Sequence, residues 1–236
     1  MRIVRRAVSA CGLGRAGHTA RAGAPGLLRC GLLAGPLFIA TFLIEGAVRE
    51  DYRPLRHPVS SLALGHRGWV QVANFSMAGA LYGAFAAGLC RAQPRSAPTR
   101  LGPILVSSAA LGLVGSAVFT TDPVSGYPPG TPDSPSAYSI SGALHDLFAI
   151  PTFLGLPGAQ FVYARSFRAH GHPAWARYSA ASALAMLVSL AMANAAFNQA
   201  PKLVRLGGLF QRTSITIGFA WQTCLAAHTL HATANR

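Results

Sequence analysis

Four residues have side chains that could ligate a metal or carry a proton, and two of them share a local setting. His57-Pro58-Val59-Ser60 and Asp122-Pro123-Val124-Ser125 each place such a group before Pro-Val-Ser, while His145 and Asp146 are adjacent. A residue ahead of proline is pushed towards extended backbone, so His57 and Asp122 are expected on stiffened chain, as a preorganised site needs. The residue types suit a divalent ion such as Zn²⁺, with Glu45 as a further ligand. The spacing does not add to that reading. There is no His-x-x-x-His and no Cys pair, and adjacent helical positions such as His145 and Asp146 diverge by about 100°.

Acid–base chemistry draws on the same groups. A carboxylate could work with His145 or His57, with Ser60 or Ser61 as nucleophile. Alternatively, a protonated Asp146 or Glu45 in an apolar pocket could deliver a proton to an isoprenoid double bond. A His beside an Asp in sequence is not a triad, and the chain has no Gly-x-Ser-x-Gly elbow. A plainer role competes. Near a helix start, with Ser141 as N-cap, Asp146 would complement the helix dipole or pair with Arg212.

The elements that must position these groups are membrane spans. The chain has 236 residues, of which 51% are hydrophobic and 11% charged. Its mean hydropathy is +0.36. A soluble domain carries about 25% charged residues, so this one could not cover its surface. The formal charge of +14 would suggest nucleic acid in a soluble chain, but the arginines fall between apolar runs rather than in a patch with interleaved aromatics. No nucleic-acid partner is expected. Apolar runs at 27–48, 69–90, 101–119, 144–164, 175–197 and 209–227 are each about long enough to cross the hydrocarbon. The fourth contains Pro151 and Pro157, which are expected to kink it. The fold class is therefore all-α, a polytopic bundle of six transmembrane helices over residues 27–230. A basic, disordered tail is expected over 1–26 and a short tail over 231–236. Val8-Ser9-Ala10-Cys11 matches a lipoprotein cleavage tetrapeptide, but no apolar segment precedes it, so the first span reads as a retained anchor.

Thirteen of the twenty basic residues fall on the side of the termini, which puts both termini in the cytoplasm of a cell-membrane protein. All four cysteines fall towards that side, so no disulfide is expected. The six acidic residues fall on the outer half, together with Ser60, Asn74, Asn194, Asn198, Gln199, Gln211 and Arg212. With Glu45 these read as the lining of a pocket open to the outside, in which Arg205 and Arg212 could meet a phosphate. Small residues four apart are read as packing faces: Gly31 and Gly35, Gly79 and Gly83, Ser108 and Gly112, and Ala181 and Ala185. Trp69 and Trp175 open spans as interfacial anchors, and the histidines of the inner side, His228 among them, read as solvated or interfacial.

Several stretches in order, "GPLFIATFLIEG", "DYRPLRHPVSSLALGHRGWVQVANF", "TDPVSGYPPGT", "LHDL" and "LGGLFQR", resemble the bacterial membrane family called domain of unknown function 998. The resemblance covers about residues 31 to 230. It implies a six-helix membrane protein and carries no catalytic roles, because the family has no established activity. Three functions stay open. The leading one is binding of a membrane lipid or other amphiphile at the outer polar cluster. The others are a membrane enzyme acting on a lipid or isoprenoid through Asp146, His145, Asp122 and His57, with or without a divalent metal, and a small transporter.

Overall fold

The computed structural model describes residues 23–93, 100–134 and 137–234. The tetrapeptide ending at Cys11, and most of the expected N-terminal tail, lie outside them. Among the described residues the fold is six long helices: α1 (Ala24–Val48), α2 (Gly68–Ala92), α3 (Leu101–Val118), α4 (Ile140–Ala169), α5 (Pro173–Phe197) and α6 (Gly207–Ala234). A 3₁₀ turn, Val59–Ala63, lies in the loop between α1 and α2.

Each helix packs against its chain neighbours, and α1 against α6 closes the ring. Small residues set the closest approaches. A Cβ at Gly31 would overlap Phe85 and Ala226, and one at Gly35 would meet Thr223 and the Phe219 carbonyl. These contacts join the start of α1 to the end of α6, so both termini of the bundle lie at one end. Gly79 meets Val114, and Gly112 meets Phe148 and Thr152, as the small-residue spacing in α2 and α3 leads one to expect. The spacing in α5, which runs Ala181, Ala185, Ser189 and Ala193, holds only in part. Ala193 is buried, but Ala181 and Ala185 face outward, and the helix also buries Ser179, Ser182, Ala183 and Met186. Alanine is small on every face, so its periodicity alone cannot choose between them.

The outside of the bundle is apolar. Leu33 (55% exposed), Ile104 (57%), Val118 (68%) and Val188 (59%) face away from the core. The polar groups Gln71, Gln160, Ser179, Ser214 and Gln222 are buried. Only a hydrocarbon solvent makes that distribution favourable, because every exposed backbone group is already bonded within its helix. Five helices, α1 to α5, are long and apolar enough to cross a membrane. α6 is long enough but less apolar, because it turns Arg212, Ser214 and Gln222 into the bundle. This is a multi-pass helical membrane protein. α4 stays helical across Pro151 and Pro157 and begins at Ile140, four residues before its apolar run.

Candidate functional site

The loop between α1 and α2 is anchored by two buried ion centres. Glu45, in the last turn of α1, accepts Arg49 at 2.9 Å and Arg67 at 2.5 Å. Arg49 also donates to the carbonyls of Leu64, Leu62 and Arg67. On the other side of the loop, Arg212 donates to the carbonyls of Pro54 (2.5 Å), His57 (3.0 Å) and Gly208 (3.1 Å) and to the Tyr52 hydroxyl. Its guanidinium also lies over the rings of Phe42 and Tyr52, at 5.7 and 5.4 Å. The "LGGLFQR" stretch explains this geometry. Gly208 lets the start of α6 sit against the Pro54 and His57 carbonyls, where any Cβ would collide, and Arg212 follows one turn later. The amides of Gly208 and Leu209 donate to Arg56 and Leu55.

His57 is buried between Tyr52 and Tyr127, with ring centroids 5.4 and 5.1 Å away, and its Nδ1 accepts the Arg53 amide at 2.9 Å. Burial pushes its pKa down to about 4, helped by the positive charges of Arg56, Arg53 and Arg212 and opposed by a hydrogen bond to the Ser125 backbone. Burial also pushes the Tyr52 hydroxyl up to about 12, against the pull of Arg212. The two Pro-Val-Ser loops therefore touch. Asp133 ties them further: its carboxylate accepts Arg56 at 2.6 Å and its carbonyl accepts the Ser125 amide and Gln199 Nε2. Ser125 and Gly126 both take positive φ, the left-handed turn that aims the Ser125 and Gly126 amides back at residues 132–133.

Asp122 has a different task. Its carboxylate accepts the amide and hydroxyl of Ser139, and the Ser139 hydroxyl in turn accepts the Gly142 amide at 2.9 Å. Ser139, not Ser141, is thus the N-cap of α4; Ser141 donates to the Thr120 carbonyl. Gly142 is packed directly under the Asp122 carboxylate. Asp146 follows Gly142 by four residues on the same helical face, so the two carboxylates are stacked about one turn apart.

That face opens onto a crevice of about 690 Å³ between α4 and α5, roofed by the loops. Its outer end is polar, with Ser60, Asp122, Asp146, Asn194, Asn198 and Gln211. Its walls further down are apolar, with Leu147, Ile150, Phe153, Leu154, Leu190 and Phe197. Leu147, Ile150 and Leu154 are each at least half exposed, so the crevice opens sideways into the hydrocarbon. A second, smaller cavity of about 80 Å³ lies inside the bundle, lined by Phe38, Phe75, His145, Thr152 and Phe219. Ser60, Asp146, Phe153 and Gln211 border both spaces.

The residues singled out in the sequence therefore divide. Asp122, Asp146, Ser60, Asn198 and Gln211 share the crevice. His145 faces the inner cavity, its Nδ1 2.8 Å from the Phe119 carbonyl and its ring 6.0 Å from Phe75. His57, Glu45 and Arg212 are buried in the loop anchors, and Asn74 is bonded to the Phe38 carbonyl inside the bundle. The arrangement does not assemble the four-residue metal set: among the described residues no three His, Cys, Asp or Glu side chains stand close enough to hold an ion. Nor does any of His57, Asp122, His145 and Asp146 hydrogen-bond another of the four. The phosphate role suggested for Arg212 also falls away, because its side chain is spent on loop carbonyls, and Arg205 is exposed and does not line the crevice.

The family model described as Protein of unknown function (DUF998) matches residues 32–228. The chain belongs to this family. No curated protein and no solved structure gives a match. The DUF998 match reaches into all six helices and covers both Pro-Val-Ser loops, so the crevice lies wholly within the family region. Asn194 lines the crevice, as its place among the polar groups at the end of α5 leads one to expect. Gly142, which seats Asp122, could not be read as a site element from the sequence. At the other end, Trp175 packs on His228 at 4.5 Å and on Phe167 at 5.5 Å. Trp175 and His228 thus share an aromatic cluster at the end of the bundle that holds its termini, and both are half-buried.

Proposed function

We propose that this protein holds an amphiphile, a membrane lipid or a molecule built like one, in the crevice between α4 and α5. One observation carries the reading: the space has a polar end under the loops and apolar walls that open into the hydrocarbon. A ligand placed there satisfies hydrogen bonds at its head while its chain stays among Leu147, Ile150 and Leu154. We further propose a cell-membrane location with both termini cytoplasmic. Thirteen of the twenty basic residues on the terminal side support that orientation, which turns the crevice towards the outer leaflet.

A catalytic role has less support in the geometry. Proton transfer needs groups within about 2.6–3.2 Å of each other or of a bound substrate. Here the His57 and His145 Nδ1 atoms are engaged with backbone, and the Asp122 carboxylate is engaged with Ser139.

Native mass spectrometry of protein purified in a maltoside detergent, beside Leu154→Trp, tests the proposal. Leu154 is 54% exposed and lines the wall, so tryptophan fills the groove without entering the core. The expected result is a lipid-sized adduct on the wild type that is lost in the variant. Identical spectra from the two proteins would refute amphiphile binding at this place.

A further inference from the structure

The crevice also carries information about the charge of what it holds. Its ionisable lining consists of Asp122, Asp146 and Tyr138, and among the described residues no Lys, Arg or His borders it. Arg53, Lys202 and Arg205 belong to the flanking loops but do not line it, and four other arginines at that end of the bundle are committed elsewhere. Arg49 and Arg67 hold Glu45, Arg56 holds Asp133, and Arg212 holds loop carbonyls. Asp122 has accepted two hydrogen bonds from Ser139, but Asp146 makes no hydrogen bond or ion pair among the described residues.

Asp146 lies about 9 Å along α4 from its first residue. Its side chain is exposed to the crevice, flanked on the helix by the apolar Ile140, 81% exposed, and Leu147, 57% exposed. A carboxylate beside such side chains is solvated less freely than one on a polar surface. An acid in that position needs a partner or a proton, and a second carboxylate one turn away makes an anionic guest costly. Attraction between opposite charges is much stronger in such a half-desolvated groove than in water.

We infer that the crevice selects an amphiphile with a cationic head, an amine or quaternary ammonium, and rejects one with a phosphate head. This rests on the amphiphile reading above. The ammonium would lie between Asp146 and Asp122, with Asn194, Asn198 and Gln211 around it and the chain running down past Ile150 and Leu154.

Three single-chain amphiphiles with the same dodecyl tail separate the possibilities: a trimethylammonium, a phosphate and an uncharged glycerol ether. Each is titrated into the full chain in maltoside detergent, and the bound fraction is read by native mass spectrometry. The wild type is expected to retain the ammonium compound at least about ten times better than the phosphate, a difference of about 1.4 kcal/mol. Asp146→Asn should lose that preference while still retaining the glycerol ether, and Asp146→Glu should keep it. Leu154→Trp should lose all three. Phosphate bound as well as ammonium, or a preference unchanged in Asp146→Asn, overturns the charge inference and leaves amphiphile binding intact. If the wild type binds none of the three better than Leu154→Trp does, both readings fail together.

Discussion

Two polar regions lie at the same end of the bundle and use similar residues, yet only one of them is open. Around Arg212 the charges are closed off: three carbonyls, a tyrosine hydroxyl and two aromatic faces meet one guanidinium. Around Asp146 the lining includes a carboxylate that makes no hydrogen bond or ion pair among the described residues, beside a groove wide enough for a lipid chain. Polarity alone does not mark a site in a membrane protein. What separates the two regions is that the Arg212 Nη atoms meet partners supplied by the protein, whereas the Asp146 carboxylate has no hydrogen bond or ion pair among the described residues.

If the first region is structural, damage there should show in stability. Arg212→Ala strands the Pro54 and His57 carbonyls in a buried setting and is expected to cost about 3 kcal/mol, read as a fall in the midpoint of thermal unfolding in detergent. Gly208→Ala forces a methyl group against the same carbonyls, and overpacking of that kind costs about 2 kcal/mol in the same assay. A third effect is set by pH. His57 is held neutral, with its pKa near 4 rather than the ordinary 6.5, so its contribution is complete above about 6.5. Stability should therefore drop as pH falls from 6.5 towards 4, and the drop should shrink in His57→Gln. The smallest effect is expected in the open region. Asp146→Asn should change stability by less than about 0.5 kcal/mol, since it breaks no hydrogen bond or ion pair among the described residues. A large loss there would erase the contrast between the two regions.

Much of the frame could be read from the residues. Six apolar runs located the helices, within three positions for α1, α2, α3 and α5, while α4 runs five residues and α6 seven residues past its run. The sequence shows that α6 is less apolar, but not that its polar groups are turned inward against the bundle. The sequence places Glu45, Asn74, Arg212 and Asp146 towards the same end of the bundle, away from its termini, but not the direction of each side chain. Helical phase sends the first three into the protein and Asp146 into the crevice. His145 and Asp146 show the limit most simply: one residue apart, both border the inner cavity, but of the two Asp146 alone also lines the crevice. The pairing of His57 with the Ser125 backbone, and of Arg56 with Asp133, joins loops far apart in sequence, which no local pattern encodes.

The most direct test of the central claim compares two apolar, lipid-facing positions. A photoreactive amino acid is placed at Ile150, which is 50% exposed and lines the crevice, or at Leu33, which is 55% exposed on α1 and does not. Both proteins are washed exhaustively in maltoside detergent before irradiation, so that only a held lipid remains. A covalent lipid adduct at position 150 and none at position 33 is the predicted result. Equal yields at the two positions, or no adduct at either, would contradict the account.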